Sequence, residues 1–126
     1  MLKKGMLVRY IYFFNFLKLI EMKAIERLLG KRVIIRSDRA GVFYGTLSEA
    51  EPCGDKYTVG LTNVRRLWYW DGAASLTQLS EEGVTRPDGC KFTMWQDSLV
   101  VAGVIEFHDV KKKAQEVIEN VRIWKR

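Results

Sequence analysis

The sequence contains few of the residue types that bind metals or carry catalysis. Its 126 residues include one histidine, two cysteines and two prolines. A structural zinc site needs about four Cys or His ligands, so the composition predicts no metal site. Cys53 and Cys90 lie in turn-like contexts and are expected to be reduced thiols of a cytoplasmic protein. Two prolines and ten glycines leave no room for a long flexible linker.

Motifs of the common enzyme classes are also missing. No glycine cluster precedes a helix to bind phosphate, and no Gly-x-Ser-x-Gly elbow presents a serine. Cys90 with His108 and an aspartate is one combination that thiol chemistry allows, but the spacing does not favour it. Glu49 and Glu51 fall where a solvated loop is expected. The sequence therefore predicts no catalytic residue, no cofactor and no enzyme activity.

Length and composition indicate one ordinary globular domain. Hydrophobic residues make up 48% of the chain and charged residues 29%, which are globular values. The net charge of +6 is unevenly distributed. Residues 1–21 hold four basic and one acidic side chain, and residues 22–126 hold 17 and 14. Each part therefore contributes +3, and the domain itself is only mildly basic.

The first 21 residues differ from the rest. An apolar run from Met6 to Ile20 is interrupted by Arg9, Asn15 and Lys18. These interruptions, and the lack of a small-residue cleavage site, argue against a signal peptide, and the run is too short and too charged for a membrane span. One alternative is a helix that lies at the membrane interface, with its long basic side chains reaching water. Alternatively, residues 1–21 are an extension from an upstream start, and the domain occupies 22–126.

Hydrophobic periodicity predicts an α+β domain. A short helix is expected over Ala24–Leu29, an inserted helix near 73–82 capped by Asp71 or Ser75, and a C-terminal helix near 110–120. Expected strands cover 31–37, 42–49 and 56–61, with a fourth strand or an extension of the third over 64–70. Further strands are expected over 92–95, over 99–107 as one strand or two broken at Gly103, and over 121–124. Gly45 inside the second strand indicates a bulge or sharp bend. Five to six short strands favour a small, strongly bent antiparallel sheet or an SH3-like partial barrel.

The segment from Asn63 to Leu76 is the densest in aromatic and basic residues. Strand alternation places Arg66, Trp68 and Trp70 on one face, and Arg65, Leu67 and Tyr69 on the other. Arginine beside tryptophan can stack on the indole and hold a ring-bearing ligand. The tryptophans are equally suited to filling the core, with Arg66 paired to Asp71. The candidate binding face comprises Arg65, Arg66, Trp68, Trp70 and Asp71.

This segment also resembles a known family. The pattern Arg65-Arg66-Leu67-Trp68-Tyr69-Trp70-Asp71-Gly72-Ala73 is similar to one in small uncharacterised proteins of bacteriophages, prophages and gut bacteria, known only as a domain of unknown function. The looser resemblance covers about residues 31–125 and excludes the first 21. It implies a phage-related context and no particular activity.

Two functional hypotheses follow from these residues. The first is a non-catalytic binding or assembly module that contacts another protein, or a second copy of itself, through a sheet edge or an aromatic face. The second is a nucleic-acid-binding module that uses Arg65, Arg66, Trp68 and the basic ends. A membrane partner is expected only if residues 1–21 are part of the native chain.

Overall fold

The structure is a computed structural model that describes residues 4–126. Residues 1–3 of the predicted extension lie outside this range. The elements in chain order are α1 (Lys4–Glu26), β1 (Arg32–Ser37), β2 (Gly41–Cys53), β3 (Lys56–Tyr69), α2 (Leu76–Glu82), β4 (Lys91–Phe92), β5 (Gln96–Asp109) and α3 (Lys112–Asn120). The α+β prediction is therefore confirmed.

One five-stranded antiparallel sheet organises the fold, in the order β2-β1-β5-β3-β4. An additional pairing of β2 with β3 closes β1, β2, β3 and β5 into a ring of hydrogen-bonded neighbours. Of the two alternatives for 64–70, a fourth strand or an extension of the third, the structure shows the extension, because Lys56–Tyr69 is the single strand β3. The hairpin between β2 and β3 is also longer than predicted, because only Gly54 and Asp55 remain in its turn.

Two hydrophobic clusters lie on the two faces of this sheet. Along β1, Val33 and Ile35 belong to one cluster and Ile34 to the other, as strand alternation requires. The inner cluster draws on all four ring strands: Val33, Ile35, Phe43, Leu47, Tyr57, Val59, Leu61, Val64, Val101 and Val104. The outer cluster joins the sheet to α2 and α3: Ile34, Tyr44, Leu67, Leu79, Val84, Cys90, Phe92, Val110, Ala114, Ile118 and Val121. The four ring strands thus enclose the inner cluster, and α2 and α3 cover the outer one.

The two short helices form where local signals predicted them. The Ser75 hydroxyl accepts a hydrogen bond from the Gln78 N–H at 3.1 Å and caps α2, so Ser75, and not Asp71, is the cap. Gly83 ends α2 with φ of 83°. In α3, Ala114 and Ile118 are buried and Lys111 to Lys113 are exposed. The predicted last strand over 121–124 is reduced to one bridge between Phe92 and Ile123.

The first helix is much longer than predicted. It runs through residue 22 without interruption and ends at Glu26, where a short helix over Ala24–Leu29 was expected. Near its C-terminal end, the Tyr57 hydroxyl of β3 donates to Glu21 Oε2 at 3.0 Å. Burial and this hydrogen bond raise the pKa of Tyr57 to about 12. Within residues 4–126, no helix is long and apolar enough to cross a bilayer. The division at Met22 stays a prediction.

Candidate functional site

A bulge in the middle of β3 decides which residues of the candidate segment face the core. Tyr44 pairs with Arg65 and Thr46 with Thr62, so Gly45 of β2 faces two residues of β3. Asn63 sits in this bulge with φ of 47°, and asparagine tolerates that left-handed conformation better than most residues. The extra residue inverts the alternation. Val64 therefore joins the inner cluster, while Leu67 joins the outer one.

Arg65 follows the bulge and is buried, with 1% of its surface exposed. Its guanidinium donates to the carbonyl oxygens of Phe92 and Thr93 at 3.1 and 3.0 Å. It also donates to those of Ile118 and Val121, at the C-terminal end of α3, at 3.1 and 3.0 Å. One side chain thus connects β3, the β4 region and α3.

Among the described residues, no carboxylate forms a salt bridge with the buried guanidinium of Arg65, and other groups stabilise its charge. The carbonyls at the end of α3 carry the negative end of the helix dipole. The guanidinium carbon of Arg65 also lies 4.8 Å from the ring centre of Trp95 and 5.4 Å from that of Phe92, within cation–π range. Burial lowers the pKa of Arg65 to about 10, so it stays charged at neutral pH. Its position indicates a structural role, although it was predicted as part of the binding face.

A second bulge exposes two adjacent aromatic residues. Leu67 pairs with Phe92 and Tyr69 pairs with Lys91, so Trp68 is the extra residue on β3. Trp68 is 61% exposed and Tyr69 52%. In an unbroken strand one of the two would point into the fold. Of the two interpretations left open for Trp68, the structure supports exposure and excludes core filling.

Arg66, two positions before Trp68 on β3, lines an open groove together with Met94. The Arg66 guanidinium carbon lies 4.6 Å from the ring centre of Phe43, and Met94 is 58% exposed. The groove has a volume of about 480 Å³ and opens at one end of the inner cluster, next to Val64 and Leu99. We call Arg66, Trp68, Tyr69 and Met94 the aromatic face.

Trp70 and Asp71 do not join this face. Trp70 is half-buried and packs against the outer cluster, on the side of Leu67 and not of Arg66, because the bulge at Trp68 breaks the alternation. The predicted pair of Arg66 with Asp71 is wrong. Asp71 instead accepts from Arg86 Nη1 at 3.3 Å. Arg66 and Trp68 thus lie two positions apart on β3, Arg65 is buried at the wall of the groove that Arg66 lines, and Trp70 and Asp71 have other partners.

A cleft next to the aromatic face contains residues that the sequence did not single out. The Lys91 ammonium lies 5.8 Å from the ring centre of Tyr69 and 5.6 Å from that of Trp124. Around it, residues 87–91 and 122–125 enclose about 330 Å³, with Arg122 and Lys125 in the lining. We call this the Lys91 cleft. Lys91 and Trp124 lie 33 positions apart in the sequence, and no local pattern indicates that they meet.

The residues considered for thiol chemistry have separate partners. The Cys90 thiol contacts the backbone of Asp71 and Arg86 at 3.4 to 3.8 Å, and burial raises its pKa, which disfavours the thiolate. The ring of His108 is hydrogen-bonded to Glu106. Over the part of the chain that the structure describes, no three His, Cys, Asp or Glu side chains form a group that would hold a metal ion.

These features define a class of protein: a small α+β domain with a closed ring of strands, a buried arginine and an exposed aromatic face. A family model described as a domain of unknown function, DUF6948, matches residues 30–118. The chain belongs to this family. The match begins within one residue of the predicted resemblance and stops before the C-terminal part of the Lys91 cleft. No curated protein and no solved structure matches the chain.

Proposed function

We propose that this protein is a non-catalytic binding or assembly module of phage or prophage origin that holds another protein through its aromatic face. The exposure of Trp68 and Tyr69, which follow the groove residue Arg66 on β3, carries the proposal. Tryptophan, tyrosine, arginine and methionine are the residues enriched in the centres of protein interfaces. The phage context is supported by the resemblance of residues 65–73.

The pairing of the strands favours the aromatic face over the edge of β4. Among the described residues, segments 48–53 of β2 and 96–101 of β5 pair with β3 alone, and β4 is the last strand in the sheet order. Its outer side is occupied, because Trp124 N–H donates to the Phe92 carbonyl at 2.9 Å. Strand addition needs a row of unpaired N–H and C=O groups. The aromatic face is therefore better suited to a partner than the edge of β4.

The chemistry of the groove indicates what it would hold. Phe43, Val64 and Leu99 supply an apolar floor. Arg66 also lines the groove, and its guanidinium is stacked on the Phe43 ring. Among the described side chains, no carboxylate forms a salt bridge with Arg66. A peptide segment with one large apolar side chain and a nearby acidic residue matches this arrangement.

Replacing Trp68 with alanine is expected to weaken peptide binding at least tenfold, because an exposed tryptophan at the centre of an interface contributes about 2 kcal/mol or more. The probe is a peptide selected from a displayed random library on the wild-type protein, with the Trp68→Ala variant used for counter-selection. Affinities are then measured by fluorescence anisotropy with the labelled peptide.

The matched control is Val100→Ala, which removes an exposed apolar side chain from β5 and should leave the affinity unchanged. Trp68→Ala should also unfold within about 0.5 kcal/mol of wild type, since Trp68 is mostly exposed. A selection that yields no peptide able to distinguish Trp68→Ala from wild type would contradict the proposal.

A second candidate function, nucleic-acid binding, is favoured by the Lys91 cleft. Single-stranded nucleic acids bind where cations contact phosphates and aromatic rings stack on bases. Lys91 between Tyr69 and Trp124, with Arg122 and Lys125 nearby, has this composition. Net charge alone does not support it, since residues 22–126 are only mildly basic.

If this second candidate is correct, Lys91→Gln should weaken binding of a labelled single-stranded oligonucleotide and lower the slope of log affinity against log salt by about 0.7, which corresponds to one phosphate contact. Anisotropy titrations at several salt concentrations measure both quantities. Lys113→Gln, on the exposed face of α3, is the control. Absence of binding to single-stranded DNA and RNA at low salt would remove this candidate.

A further inference from the structure

The N-terminal half of α1 exposes an unusual number of large apolar side chains. Nine of them between residues 8 and 20 are 43–72% exposed: Val8, Ile11, Tyr12, Phe13, Phe14, Phe16, Leu17, Leu19 and Ile20. Neither the aromatic face nor the Lys91 cleft involves this helix. A contiguous exposed apolar surface of this kind marks a binding site for a protein or a membrane.

Among the described side chains of α1, those that attach it to the domain lie in its C-terminal part. Met22 and Ile25 pack against the inner cluster, and Glu21 accepts from the Tyr57 hydroxyl. The Lys18 ammonium lies 5.4 Å from the ring centre of Tyr57. These contacts begin at Lys18, so they fix the base of the helix and leave the segment from Val8 to Leu17 uncovered by the rest of the chain.

The apolar surface of this segment extends around the whole helix. Arg9 and Lys18 are nine residues apart, which at about 100° per residue places them on opposite sides. Apolar side chains occupy the positions between them on both flanks. A single partner helix covers one stripe of its neighbour. The segment therefore needs an environment that surrounds it, and a lipid interface provides one.

The basic charges of the segment favour lipids with anionic headgroups. Residues 4–20 contain three basic side chains, Lys4, Arg9 and Lys18, and no acidic one. In a parallel pair of such helices Arg9 would lie beside Arg9, and in an antiparallel pair centred on the segment it would lie near Lys18. Like charges oppose both pairings. Anionic headgroups complement Arg9, whose long side chain can reach them from an immersed helix, whereas Lys18 is held by Glu21 and Tyr57.

We propose that α1 attaches this protein to an anionic phospholipid surface, with the apolar side chains from Val8 to Ile20 immersed in the lipid interface. Tyrosine and other aromatic side chains prefer that depth of the bilayer. The contacts of Lys18 and Glu21 with Tyr57 hold the domain beside the membrane. The aromatic face stays available to a separate partner.

The test is flotation of the full chain with vesicles of phosphatidylcholine alone or with one third phosphatidylglycerol. We expect wild type to float with the anionic vesicles and less with the neutral ones. Phe13→Glu combined with Phe16→Glu should reduce the partition coefficient about a hundredfold, since each change removes a phenylalanine from the lipid. Arg9→Gln should reduce it about fivefold on anionic vesicles only. Val100→Glu, which adds the same charge at another exposed apolar position, should have no effect.

Three results would overturn the proposal. One is equal partition of wild type and the double glutamate variant. The other is a stable oligomer in lipid-free solution, measured by light scattering, that the same variant dissociates, because the segment would then bind a second copy. The four tryptophans lie at 68, 70, 95 and 124, outside α1. A blue shift of their emission on vesicle binding would place the aromatic face in the lipid and would likewise contradict attachment through α1.

Discussion

Replacing Arg65 with methionine is expected to lower the free energy of unfolding by about 3 kcal/mol. Methionine fills a similar volume but donates no hydrogen bond, so the carbonyls of Phe92, Thr93, Ile118 and Val121 lose their shared donor. The carbonyls of Phe92 and Ile118 keep a backbone donor, so the cost of about 1–3 kcal/mol for each unsatisfied buried group applies to the other two. Relief of the buried charge offsets part of that sum. Urea denaturation measures the change, and the melting temperature should fall by on the order of 10 °C.

The neighbouring arginine provides a matched control. Arg66→Met changes the same residue type one position along the same strand, but Arg66 stacks on Phe43 at the surface of the groove. An exposed cation–π contact contributes about 0.5–1 kcal/mol, so this variant should remain close to wild type in stability. Equal losses from the two substitutions would show that the four carbonyl contacts do not stabilise the fold.

The difference between these two arginines is not visible in the sequence. Alternation correctly placed Arg65 and Leu67 on one face, but it does not say whether that face is open or covered. The cover comes from α3, about 50 positions later, whose final carbonyls meet the guanidinium. Arginine is usually exposed, so Arg65 was assigned to the binding face. The residues around Arg65 carry no information about the contacts that α3 supplies.

The bulges are the second feature, and they were predicted only in part: Gly45 indicated a bulge in β2, and the extra residue lies opposite it, in β3. Trp68 is exposed and Trp70 half-buried because the register between β3 and β4 shifts by one residue at Trp68. The register between β2 and β3 likewise shifts by one residue at Asn63. Each shift depends on the partner strand and inverts all side chains that follow it. The Arg65–Asp71 segment was thus the right place to look, although only Arg66 and Trp68 form the site.

Features set by neighbouring residues were predicted well. Ser75 caps α2 and Gly83 ends it, and the apolar spacing of α3 buries Ala114 and Ile118. The α+β class follows from the same patterns. The closed ring of strands, the single long β3 and the length of α1 depend on pairings between distant segments, so the predicted boundaries differ most there.

Replacing Gly72 with alanine is expected to lower the free energy of unfolding by about 3 kcal/mol or more. Gly72 ends the candidate segment with φ of 91°, which costs an L-residue roughly 1–2 kcal/mol. An added Cβ would also lie 2.6 Å from the backbone nitrogens of Thr85 and Arg86. These atoms are held in place because Thr85 N–H donates to the Gly72 carbonyl at 3.1 Å. The backbone must therefore shift, and the pair of Asp71 with Arg86 shifts with it.

Gly41→Ala separates the two contributions to that loss. Gly41 has φ of 101°, but an added Cβ there meets nothing within 4 Å. It should lose only the conformational part, about 1–2 kcal/mol. Urea denaturation of both variants gives the difference, which measures how tightly the turn after β3 is fixed to residues 85–86. If Gly72→Ala lost no more stability than Gly41→Ala, that contact would be loose, and the end of β3 would not be fixed in the position that holds Trp70 against the outer cluster.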